Sequence, residues 1–129
     1  MIAVDTSALL AALLGEAGGP ECRAVLRREV RIVVSAGTLS EAFIIAHRRG
    51  IEAALSGLLE EAAIEVEPVT ETVARQVGSA HARWGKGVHP AGLHFGDCFA
   101  YALAKERDLA LLFVGKDFAR TDIRPAIGA

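Results

Sequence analysis

Ile2-Ala3-Val4 is apolar at every position and closes at once with Asp5-Thr6-Ser7, after which Ala8 to Leu14 stay apolar for too long to form one more strand. A strand without a polar face is buried on both sides, as in the middle of a parallel sheet, and parallel strands need helical crossovers. The first strand is therefore followed by a helix capped by Thr6 or Ser7. Asp5 then stands at the C-terminal end of that strand, the edge where open α/β sheets bind ligands.

The same alternation continues along the chain. Gly15 and Gly18-Gly19 break the first helix, and Pro20 opens a second that runs from Cys22 to Glu29. Arg31 to Ser35 reads as the second strand, and the capping residues Ser35 to Ser40 lead into an apolar helix ending at Arg48-Arg49-Gly50, with Glu41 in or near its first turn. Gly50 makes a tight link to an antiparallel helix over residues 51–63, followed by a short strand, Ile64 to Glu67, stopped by Pro68. Thr70 caps an amphipathic helix to Trp84, and a Gly-rich loop leads to a helix near Asp97. Leu109 to Val114 reads as a last buried strand, with Asp117 beyond its end. The expected fold is α/β, in one domain spanning residues 1–129, with no internal repeat.

Composition narrows the function. Hydrophobic residues make up 52% of the chain and charged residues 23%, which describes a packed core with an apolar face to spare for a partner. A net charge of -2 supplies no overall basic footprint, so any nucleic acid must be held through local patches and metal bridging to phosphate. No run approaches a membrane span and no cationic leader opens the chain, so the expected location is the cytoplasm. Cys22 and Cys98 show no paired-ligand spacing and are expected as buried thiols rather than a disulfide or zinc site.

In a parallel sheet Asp5, Glu41, Asp97 and Asp117 all face one edge. Carboxylates about 4 Å apart repel by roughly 4 kcal/mol per pair at an effective dielectric near 20, so such a group either holds protons or holds a cation. Oxygen-only ligation selects Mg²⁺ or Mn²⁺ over Zn²⁺.

Four stretches in order carry a family resemblance. Met1 to Leu9, Ser40-Glu41, Gly96 to Ala104, and Gly115-Lys116-Asp117-Phe118 with Thr121-Asp122-Ile123 resemble the four acidic motifs of PIN-domain proteins, specifically VapC-type toxins of toxin-antitoxin pairs. The resemblance implies a PIN-like three-layer fold, with a mainly parallel sheet of four to five strands between helices. It implies a metal-dependent endoribonuclease that cuts RNA and stops translation until a VapB-type antitoxin binds, and a homodimer. By position, Asp5, Glu41, Asp97 and Asp117 would be the catalytic, metal-binding carboxylates, with Thr6, Ser7 and Lys116 in support. The alternative is a binding module with weakened catalysis, because Val114 and Lys116 stand where many relatives carry Thr and Asn or Asp.

Other readings fit less well. An aspartate-nucleophile phosphatase needs a second Asp where Ser7 stands, and a response-regulator receiver needs one where the second strand ends in Ser35. Asp122 reads as structural, Trp84 and Tyr101 as packing, and Arg83, Lys86 and His89 as a candidate RNA-facing patch. His47, Arg48 and Arg49 read as solvated charge at a helix end, where they complement the dipole.

Overall fold

The computed structural model describes residues 1–127. Four strands, β1 (Ile2–Val4), β2 (Ile32–Ser35), β3 (Glu65–Glu67) and β4 (Ala110–Leu112), form one sheet in the order β3-β2-β1-β4. Every neighbouring pair is parallel, with Ile2 opposite Ile32 and Ala110, and Val33 opposite Glu65. The connections are α1 (Thr6–Leu14), α2 (Gly19–Arg28), α3 (Ala36–Arg49), α4 (Glu52–Glu61), α5 (Glu71–Trp84) and α6 (Phe95–Glu106). A 3₁₀ turn at Phe118–Arg120 follows β4. This is the expected α/β plan at the lower strand count.

Strand side chains alternate between two cores, as the two-residue period requires. Ile2, Val4, Ile32, Val34 and Leu112 pack with Leu9, Val25, Leu26, Ala42 and Leu55 from α1 to α4. Ala3, Val33 and Leu111 face the other way, onto Val77 and Trp84 of α5 and Cys98 and Ala102 of α6. Both faces are covered, which explains why β1 and β2 carry no exposed side chain. The edge strand β3 is instead guarded by charge, Glu65 pairing with Arg31 at 2.9 Å and Glu67 with Arg107.

Three local boundaries differ from the sequence reading. α1 is capped by Asp5 itself, whose carboxylate accepts the Ser7 N–H, not by Thr6 or Ser7. α3 starts at Ala36 behind a Ser35 cap, earlier than read, and Glu41 falls in its second turn, near the first as expected. β4 stops at Leu112, because the next stretch turns its backbone toward Ser7, which accepts the Val114 N–H at 3.0 Å. Thr70 caps α5 as expected, and Gly50, at φ 67°, makes the left-handed link from α3 to α4.

Candidate active site

Parallel strands deliver Asp5 and the start of α3 to the same sheet edge, and α6 begins there against α3. Asp5 is only 3% exposed. Its backbone N–H is fixed by the Leu112 carbonyl at 3.0 Å, and its Oδ2 accepts two bonds from Ser7, from N at 3.0 Å and from Oγ at 2.7 Å. The other oxygen, Oδ1, is buried with no partner. Burial pushes the carboxyl up from 3.8 to about 6; the Ser7 bonds oppose that rise, while the fields of Asp97 and Glu41 add to it.

Asp97 is the third residue of α6 and is half-buried. Its Oδ2 accepts the His94 N–H at 2.9 Å, the acidic half of a capping box. Its pKa is nonetheless raised, first by desolvation, against the pull of that hydrogen bond, and further by Asp117 and Glu41. Glu41 reaches the group from α3. Its carboxylate rests against the backbone of Gly96, where a Cβ would collide with it. Asp117, exposed at the start of the 3₁₀ turn, acts on the group through Asp97 from the rim.

Asp5, Glu41 and Asp97 thus lie within one another's fields at a single edge, and Asp117 reaches the group only through Asp97. Among the described residues no three Asp, Glu, His or Cys side chains come close enough to hold one ion directly. The donors are all oxygens, they repel one another, and the most buried has an oxygen without a partner. Such a set fits a hard divalent ion that keeps several of its waters. It offers no soft ligand for zinc or copper.

The remaining expectations sort cleanly. Ser7 sits beside Asp5 as read, and it also bonds to the segment beyond β4; Thr6 instead donates to the Thr38 carbonyl at 3.1 Å, bracing α1 on α3. Lys116 is exposed, and the group that lowers the Asp97 pKa is His94, first through its backbone N–H. Cys98 donates to the His94 carbonyl at 3.4 Å, and burial pushes its thiol up to about 11, which rules it out as a thiolate nucleophile near neutrality. Arg83, still largely exposed, lies 4.6 Å over the Trp84 ring and 3.9 Å from Asp122, and His89 packs edge-on against Trp84. Both cysteines are free and buried, as expected.

A second polar cluster escaped the sequence reading as a cluster. Trp84 Nε1 donates to Tyr101 Oη at 2.8 Å, which donates to Asp122 at 2.7 Å, and Lys105 lies 3.2 Å from the same carboxylate. Asp122 is structural, as its sequence position indicated. No local signal joins these residues, because the partners are 17 and 21 positions apart.

An α/β fold of this order, with acids gathered at the parallel sheet's C-terminal edge, defines a class of acid-centred, metal-fitting folds. Within that class the chain belongs to the PIN domain family, whose profile matches residues 2–124. It is 42% identical to ribonuclease VapC28 of Mycobacterium tuberculosis over 96% of each chain. It is 40% identical to ribonuclease VapC42 of the same organism, over 95% of this chain and 97% of that one. Among solved structures, VapC20 of M. tuberculosis, described as a sarcin-ricin loop cleaving toxin, superposes with a TM-score of 0.74 at 22% identity, covering 97% of this chain and all of that one. A toxin-antitoxin complex from Klebsiella pneumoniae gives 0.72 at 17% identity over 95% and 93%. At those identities the two structures speak to the fold alone.

Proposed function

We propose that this chain is a VapC-type toxin: an endoribonuclease dependent on Mg²⁺ or Mn²⁺ that hydrolyses RNA phosphodiester bonds and thereby blocks translation. The observation that carries this reading is Asp5, a buried carboxylate with one oxygen unpartnered and two further acids raising its pKa. Asp5, Glu41 and Asp97 would hold the ion, in part through waters it keeps, with Asp117 contributing from the rim. When bound, the ion lowers the pKa of a water and offsets charge on the phosphate and leaving oxygen. The chain's own part is to hold the acids in place. Ser7 fixes the Asp5 carboxylate, the His94 N–H fixes Asp97, and Gly96 admits Glu41.

The partners follow from the same reading: an RNA substrate, a VapB-type antitoxin that silences the site, and a second copy of the chain in a homodimer. The chain acts as a single domain in the cytoplasm, where its substrate is. Among the described residues no helix is long and apolar enough to cross a membrane. A binding module with weakened catalysis is not favoured, since relatives at about 40% identity are ribonucleases and all four acids are present here.

The test pairs RNA cleavage with Mn²⁺ titration calorimetry. Wild type is expected to cut RNA only with a divalent ion, and Asp97→Asn to lose both cutting and most of the Mn²⁺ heat. Cleavage that persists in EDTA, or an Asp97→Asn variant as fast as wild type, would sink the metal reading.

A further inference from the structure

Phe95 stands out among the apolar side chains of the acidic edge. It is the first residue of α6, two before Asp97, and 72% of it is exposed. Its ring is nevertheless held in place. It meets Phe99 edge-on, with centroids 5.0 Å apart and planes at 81°. Phe99 in turn cannot retreat, because it fills the space over Gly37 of α3, where even a Cβ would strike its ring. The chain thus presents a braced aromatic ring to solvent, one residue from the point where Glu41's carboxylate touches Gly96.

The charge at this edge gives that ring a task. A bound ion would draw one phosphate to the acids, but around it Asp5, Glu41, Asp97 and Asp117 repel the neighbouring phosphates, and the whole chain carries -2. Phosphate contacts alone therefore hold a nucleic acid strand poorly here. A neutral contact does not suffer that repulsion, and every nucleobase has a flat face that stacks on an aromatic ring. RNA cut by sequence-reading proteins is usually met single-stranded, with bases splayed out onto such rings.

We propose that Phe95 is a stacking platform for an unpaired nucleobase of the RNA strand lying along the carboxylates, and that it sets which strands, unpaired beside the cut, the site accepts. This rests on the ribonuclease reading above. Stacking of this kind acts on bound substrate before and during the reaction alike, so it belongs to KM and not to kcat.

The test is steady-state cleavage of a single-stranded RNA oligonucleotide by the full chain with Mn²⁺, for wild type and for Phe95→Ala, Phe95→Leu, Phe95→Tyr and Phe95→Trp. The Ala and Leu variants should raise KM roughly five- to hundredfold, the range that loss of one base–ring stack gives, with kcat nearly unchanged. Tyr and Trp should return KM close to wild type. Removing single bases from the RNA should reproduce the loss on wild type at one position and add nothing further to Phe95→Ala. A Leu variant as good as wild type overturns the platform, since apolar area alone would then suffice. So does a fall in kcat at constant KM, or a Phe95→Ala chain that sediments as monomer where wild type is dimer, which would make the ring a protein contact. Wild type that cuts no RNA with any divalent ion sinks the ribonuclease reading itself and this inference with it; wild type that cuts, with all variants alike, sinks only this inference.

Discussion

Two carboxylates, Asp5 and Asp122, lie on opposite terms with their surroundings. Asp122 is half open to solvent and fully served: Tyr101 donates to it, Lys105 and Arg83 neutralise it, and its pKa is lowered by those partners against a desolvation that raises it. Asp5 is almost wholly buried, has hydroxyl and amide donors on one oxygen, none on the other, and other acids as its neighbours. The protein has cations to spare for the first and withholds them from the second. A buried charge left without a protein partner is costly unless something else supplies the charge, and on the metal reading proposed above that is what separates a scaffold acid from a ligand.

The largest break in this contrast comes from Asp5→Asn. Asp5's folded-state pKa lies above its ordinary value, so without metal the stability tied to its proton is complete below 3.8 and is lost as pH rises through about 6. That interval corresponds to at most about 3 kcal/mol. Asp5→Asn should therefore raise stability in EDTA near neutral pH by up to about 3 kcal/mol and remove the falling limb from a urea-midpoint profile against pH. The same variant should lose cleavage by more than the roughly 100-fold typical of a lost supporting contact. A variant less stable than wild type at neutral pH without metal would show that Asp5 is not a strained charge. Asp122 runs the other way: its contribution is present above its ordinary pKa and is lost as pH falls through the depressed folded value.

Next in size is Ser7→Ala. It removes the hydroxyl that donates to Asp5 and accepts from Val114, so Mn²⁺ should bind roughly 10- to 100-fold more weakly, with Ser7→Thr restoring it. Calorimetric titration reads this directly, and unchanged affinity would reduce Ser7 to a fold contact. Smallest is Tyr101→Phe, which strands the buried Trp84 N–H. It should cost about 1–3 kcal/mol in urea unfolding while leaving Mn²⁺ affinity as it was. A shift in that affinity would mean that the two regions are not independent.

Much of this was legible from local pattern. Unbroken apolar runs such as Ile2 to Val4 announce buried parallel strands, and an acid ending such a run has only the sheet edge to occupy. What was not legible depends on long-range contacts. The end of β4 is set by Ser7, 107 positions from Val114, and the close approaches at Gly37 and Gly96 come from Phe99 and Glu41 on other helices. The Asp5 cap was missed for a subtler reason. Thr6 and Ser7 are equally good cap types, and only the observed Ser7-to-Asp5 bond shows that the acid ending β1 also starts the helix.

Gly96 has a consequence in the language of inheritance. Every glycine codon is one base away from an alanine codon, and at this position one methyl would push Glu41's carboxylate out of the place it occupies while leaving both cores of the sheet untouched. If Glu41 serves the reaction as proposed above, a short mutational path from a burdensome copy of this chain to a folded but silenced one runs through the smallest residue at its acidic edge.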